Sequence, residues 1–118
     1  MKISNISPVL PVADIQKEIA FFEKLGFSNT HDSLRYSDAL DYAVMTFDSQ
    51  SIHLQLFADG NFVGQQIKFW VADINQVKTL FEAAKLKGNL HEQTPWGTHE
   101  LGCYSPTKHA LIFVQEIA

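Results

Sequence analysis

The chain has 118 residues, the size of one ordinary domain, and its 46% hydrophobic and 19% charged content excludes a disordered chain. The formal net charge is −4, and Arg35 is the one arginine among nine basic residues. With no basic run to neutralise phosphates, no nucleic-acid partner is expected. The single cysteine, Cys103, permits no internal bridge and suits a reducing compartment. No stretch reaches membrane-spanning apolar length, and Met1-Lys2-Ile3-Ser4-Asn5 is not the start of a signal peptide, so a cytoplasmic chain without membrane partners is expected.

In chain order, residues 7–12 read as an apolar strand, followed by Asp14 at a helix N-cap position. Ile15, Ile19 and Phe22 then recur at helical spacing, widened by Phe21 and Leu25, and Gly26 stops the run. Strands are expected near residues 28–32, at 42–47 and at 52–57, the last two joined through residues 48–51. Residues 58–64, with Asp59-Gly60 and Gly64, read as a joint.

The pattern then repeats. A strand at residues 66–71 leads to Asp73 as an N-cap and to Ile74, Val77, Leu80, Phe81 and Ala84 before Gly88. Strands follow at residues 90–93, 100–104 and 110–115, with a turn around Ser105-Pro106-Thr107-Lys108. Val12-Ala13-Asp14-Ile15 recurs as Val71-Ala72-Asp73-Ile74, an offset of 59, and Phe22-Glu23 recurs as Phe81-Glu82 at the same offset. The expected fold is α+β: one domain of two βαβββ halves, about 1–59 and 60–118, related by a pseudo-twofold. One half has too little core to stand alone.

Two such modules in one short chain resemble the vicinal oxygen chelate superfamily of glyoxalases, ring-cleaving dioxygenases and bleomycin-resistance proteins. The bleomycin-resistance branch is the most similar. Pro8-Val9-Leu10-Pro11-Val12-Ala13-Asp14 leads through Phe21-Phe22 to Leu25-Gly26-Phe27, like that branch's opening strand and helix. Phe69-Trp70-Val71 before Asp73-Ile74 matches its midpoint. Glu92-Gln93-Thr94-Pro95-Trp96-Gly97, then Glu100-Leu101, Ser105-Pro106 and Leu111-Ile112-Phe113, match its closing unit. Two departures bear on the ligand. Ser105-Pro106-Thr107-Lys108-His109 stands where the branch has an Asp-Pro turn rich in Gly and Asn. An extra residue lies between Gly97 and Glu100, where the branch often carries an Arg before the Glu.

The resemblance transfers the four metal positions of the superfamily's enzymes to Ser7, His53, Gln66 and Ile112, again in pairs 59 apart. A divalent site wants imidazole, carboxylate or thiolate. Ile112 has no donor, Ser7 is poor and only His53 is strong, so no metal and no cofactor are expected. No nucleophile motif surrounds Cys103, which reads as an inert buried thiol, and no Gly-rich phosphate loop follows a strand. No catalytic residue is therefore assigned. His31, His91, His99 and His109 read as incidental surface residues.

The expected ligand contacts come from strand parity and from one turn. Ile52, Leu54 and Leu56 should face a helix, leaving His53, Gln55 and Phe57 on the open side. Gln66, Lys68 and Trp70 likewise oppose Ile67, Phe69 and Val71. Lys68 either pairs with an acid, selects an anion, or lies solvated with its stem over Trp70. Trp96, between Pro95 and Gly97, should be displayed at a bend. The resemblance implies that it lines a drug groove by stacking, while a place in a dimer seam is the alternative. Asp32, Asp38, Asp41, Asp48 and Asp59 form either a solvated loop face or an acidic lip.

Together these readings describe a non-catalytic homodimer, with exchange of modules an option. It would sequester a small, partly aromatic molecule, such as a cationic antibiotic of the bleomycin kind, in a groove that the resemblance places at the dimer interface. The alternatives are a metal-dependent glyoxalase- or dioxygenase-type enzyme, or a protein-binding or assembly domain.

Overall fold

The computed structural model describes residues 1–31, 40–57 and 59–117, with His31 described by its backbone. The sequence expectations for Asp32, Asp38 and Arg35 lie outside these residues. The chain forms two compact units, Met1–Val63 and Gly64–Ala118. Each is a βαβββ module with one four-stranded sheet and one helix, the expected α+β fold. No helix among the described residues is long and apolar enough to cross a membrane.

The first unit runs β1 (Val9–Val12), α1 (Ile15–Lys24), β2 (Ser28–His31), β3 (Tyr42–Phe47) and β4 (Gln50–Leu56), with strand order β1-β4-β3-β2. The parallel β1–β4 pair is bridged across the module by the antiparallel β3–β4 and β2–β3 pairs. The first strand starts at Val9, two residues later than expected. Pro8 has no N–H to give the ladder, although its carbonyl accepts from His53 N–H at 2.9 Å. The β3–β4 hairpin is tighter than expected: Phe47 pairs with Gln50, so Gln50 and Ser51 belong to the strand and Asp48 takes the left-handed conformation (φ 52°).

Both ends of α1 follow from local chemistry. Asp14 Oδ1 accepts from Lys17 N–H at 3.1 Å. At the other end Gly26, at φ 97°, donates its N–H to Glu23 O, and Phe27 N–H reaches Phe22 O at 3.1 Å. This is the Schellman arrangement, completed by an edge-to-face contact between Phe22 and Phe27 at 5.2 Å. The expected stripe Ile15, Ile19, Phe22 and Leu25 is buried, as are Leu10, Val12, Met45 and Leu54 of the sheet. Glu18 is buried in the same helix, which its polar character did not announce.

The second unit repeats the plan with β5 (Gln66–Trp70), α2 (Ile74–Ala84), β6 (Asn89–His91), β7 (Thr98–Tyr104) and β8 (Ala110–Glu116), in the order β5-β8-β7-β6. Its register repeats as well: Val9 opposes His53 in the first sheet, and Lys68 opposes Ile112 in the second, each partner shifted by 59. Asp73 caps α2 by accepting from Asn75 N–H at 2.9 Å, and Gln115 Oε1 takes the Ile74 N–H at 2.7 Å. The helix ends earlier than Gly88 suggests. Lys85 adopts the left-handed cap at φ 56°, and Leu86 N–H closes onto Phe81 O. Gly88 serves packing instead, since a Cβ there would lie 2.8 Å from Leu101 and 2.9 Å from Phe81. Phe69, Phe113 and Phe81 make the aromatic core between sheet and helix.

The β7–β8 turn explains the departure at residues 105–109. Ser105 N–H donates to His109 O at 2.9 Å, Lys108 N–H donates to Ser105 O at 2.8 Å, and Lys108 sits at φ 73°. This is a three-residue connection whose last position is left-handed, the place where glycine is usual. His109 corrects the surface reading: it is fully buried, and its Nδ1 accepts the Gln65 N–H at 2.8 Å. Beside it, a Cβ on Gly64 would lie 2.5 Å from the Lys108 carbonyl oxygen, so this joint residue is glycine because two backbones meet.

Candidate functional site: the open face of the second sheet

A groove of about 680 Å³ lies on the second unit, walled by β6, the turn before β7, and β7 and β8. Strand parity selects its floor. Cys103 and Leu101 turn toward the helix side and are buried, while Thr98, Glu100, Gly102 and Tyr104 share the opposite face. Across the sheet, His91 opposes Glu100 on β6, and Ile112 opposes Gly102 on β8.

The turn that holds Trp96 is built by threonine. Thr94 N–H donates to Thr98 O at 2.8 Å, Thr98 N–H returns to Thr94 Oγ1 at 3.0 Å, and the two hydroxyls meet at 2.7 Å. Gly97 closes the bend onto Thr94 O in the left-handed region (φ 85°), where a glycine costs least. Trp96 is thereby displayed, with 66% of its surface exposed. One edge of the ring is tied: indole Nε1–H donates to Glu100 Oε2 at 2.8 Å. Thr98 Oγ1–H donates to the same oxygen at 2.7 Å.

Glu100 is buried at 8% exposure, yet its carboxyl is held below the ordinary carboxylate range. The Thr98 hydroxyl bond contributes most, then the Trp96 indole bond, with burial opposing; the charges of Lys68 and His91 add to the lowering. The open face therefore carries a fixed negative charge beside an exposed indole. Because the folded value is lower than the unfolded one, the ionised group stabilises the fold above the ordinary carboxylate range, and this contribution disappears as pH falls through the lowered value. Glu100→Gln keeps an acceptor for both donors but loses the charge. Its thermal midpoint should fall below that of the natural protein at neutral pH, with the gap closing on acidification. A gap that stays constant from pH 7 to pH 3 would contradict this account.

The residues singled out from sequence fall on both units. Trp96 and Gln66 line the groove. Lys68 shares its open face, exposed between Gln66 and Trp70 on β5. Trp70, 62% exposed, borders a separate depression with Gln115 and Glu116. His53, Gln55 and Phe57 lie on the open side of the first unit, as parity indicated, with Ile52 and Leu54 buried on the other. There the Tyr42 hydroxyl meets His53 Nδ1 at 2.6 Å.

Glu100, His91 and Tyr104 were missed as groove residues, and so was Thr98 as the buried support of Glu100. For Glu100 and Tyr104 the alternation of residues 100–104 was the available signal, whereas His91 reaches the groove through the pairing of β6 with β7, which no local pattern records. The extra residue before Glu100 belongs to the segment that supplies the Thr98 hydroxyl.

The metal positions transferred by resemblance do not fit a divalent ion. Ile112 has no donor atom, the Ser7 hydroxyl lies before β1 and accepts from Asn5 Nδ2 at 3.3 Å, and His53 Nδ1 is engaged by Tyr42. Among the described residues no group of three or more His, Cys, Asp or Glu side chains gathers. Cys103 borders the groove as a buried thiol whose pKa burial pushes up to about 11, which leaves it protonated and weakly nucleophilic.

Solved structures share this architecture. The bleomycin resistance determinant encoded on transposon Tn5 superposes with a TM-score of 0.78 at 15% identity, over 97% of this chain and 98% of that one. A glyoxalase-related enzyme from Clostridium phytofermentans gives 0.82 at 18% identity, over 99% and 98%. A bleomycin-binding protein complexed with bleomycin gives 0.78 at 14% identity, over 97% and 99%. The chain thus has the fold common to bleomycin-resistance proteins and glyoxalase-related enzymes, the fold its sequence resemblance implied. These neighbours include both ligand-binding proteins and enzymes. Neither a family model nor a curated relative matches the sequence.

Proposed function

We propose that this protein is a non-catalytic binding protein that takes up a small, partly aromatic molecule in the groove of its second unit. A cationic antibiotic of the bleomycin kind fits the reading, since one neighbour of the same fold is a bleomycin-binding protein. The observation that carries the proposal is the exposed Trp96 ring, held by its Nε1–H on the Glu100 carboxylate inside a groove of ligand size. An indole face gives stacking area, and a fixed carboxylate beside it favours a cation. Holding a ligand requires no donor set for a metal and no activated nucleophile. Gln66 and Tyr104 add polar and aromatic edges to the wall.

A thermal-shift series with bleomycin and other cationic aromatic drugs tests the proposal. A ligand at one hundred times its Kd stabilises the folded state by about 2.7 kcal/mol, a rise of several degrees for a domain this size. No shift with any member, up to millimolar concentration, would sink the reading.

The same proposal makes the protein a homodimer. Light scattering at micromolar concentration should give twice the mass of 13.3 kDa, and a purely monomeric mass would remove the dimer.

A further inference from the structure

Glu100 is not the only fixed charge on the open face of the second sheet. Lys68 points from β5 on the same side as Gln66 and Trp70, exposed, while Ile67 and Phe69 turn toward the helix. In register, Lys68 opposes Ile112, which opposes Gly102, and Glu100 stands two residues further along β7. Two strand spacings of about 4.8 Å and two residues of about 3.4 Å put the Cα atoms about 12 Å apart. Lys68 makes no ion pair with any described residue; the ammonium paired with a carboxylate on this unit is Lys78, at 3.0 Å from Glu92. Glu100, by contrast, is already anchored by Thr98 and Trp96, so it has little freedom to swing across to Lys68. His91, across from Glu100 on β6, is the other basic group on this face.

We infer that the groove selects a ligand carrying both charges: a cationic group seated on Glu100 beside the Trp96 ring, and an anionic group, such as a carboxylate, reaching Lys68 across the Ile112–Gly102 floor. The inference rests on the groove being the ligand site and names the chemical class that the site prefers. Two opposite poles held apart by the sheet recognise a zwitterion better than either ion alone. Each pole is only partly neutralised in the free protein, and each singly charged ligand leaves one pole unmatched.

Three probes with one aromatic body separate the poles: 6-(aminomethyl)-2-naphthoate, its methyl ester (cation only) and 6-methyl-2-naphthoate (anion only). Calorimetric titration should show the zwitterion binding about tenfold more tightly than either relative, an expected difference of about 1.4 kcal/mol. Lys68→Met should erase its advantage over the ester. Glu100→Gln should erase its advantage over 6-methyl-2-naphthoate. Equal binding of zwitterion and ester to the natural protein would overturn the inference while leaving an aromatic-binding groove intact. So would a zwitterion advantage that survives Lys68→Met. Binding of none of the three at millimolar concentration would overturn both the inference and the groove reading beneath it.

Discussion

Trp96→Ala should weaken the binding of a drug such as bleomycin by about 2–4 kcal/mol, the loss expected when an aromatic anchor is removed from a binding groove. The ring is 66% exposed, so the fold gives up little packing when it is truncated, and the midpoint of unfolding should fall only through the lost bond to Glu100. Removing the indole also deprives Glu100 of one of its two donors, leaving the Thr98 hydroxyl at 2.7 Å. Calorimetric titration reads both affinities, since Trp96→Ala removes the groove's own fluorophore and leaves only Trp70 of the chain's two tryptophans. A seam role for Trp96 gives a different signature: the dimer would loosen, and binding would fall only in parallel with it. Unchanged affinity in an intact Trp96→Ala dimer would take the residue out of the site.

Phe22→Ala should cost about 3–5 kcal/mol of folding stability, as large-to-small changes at closed core positions do. Phe22 is fully buried, meets Phe27 edge-to-face at 5.2 Å and Phe21 at 6.1 Å, and provides the carbonyl that closes the helix end onto Phe27. Against a total of about 5–15 kcal/mol for an ordinary domain, such a loss brings the protein near its unfolding threshold. Phe57→Ala is the matched control, since that ring is 45% exposed on the open side of the first unit and should cost far less. Urea unfolding of the two variants separates them. A loss below about 1 kcal/mol for Phe22→Ala would mean that the core relaxes into the space.

The fold was legible because its signals are local. The Asp14 and Asp73 caps, the Gly26 stop and the apolar stripes each act within a few residues, and the 59-residue repeat carries them into both units. The faces of β4 and β5 were equally plain, since alternation of period two needs no knowledge of a partner strand. What failed locally failed for a local reason too: Lys85 took a left-handed cap that glycine would have advertised, and Gly88 was free to pack instead.

The site depended on neighbours that sequence distance conceals. β7 extends back to Thr98 because Thr98 pairs with Glu116, a partner on another strand, and this ordered start brings the Thr98 hydroxyl and the Trp96 indole onto the Glu100 carboxyl. His109 looked like a loop residue until Gln65, distant in sequence, brought its N–H to the imidazole. Lys68 could be placed on the open face from parity alone, but not opposite a carboxylate already held by other donors. By itself, then, the sequence determined the two modules, their caps and the sides of their strands, through interactions that close within a turn or along one strand. Tertiary structure decided which charges and rings share the groove, because strand pairing brings together residues far apart in the chain and no local preference records that pairing.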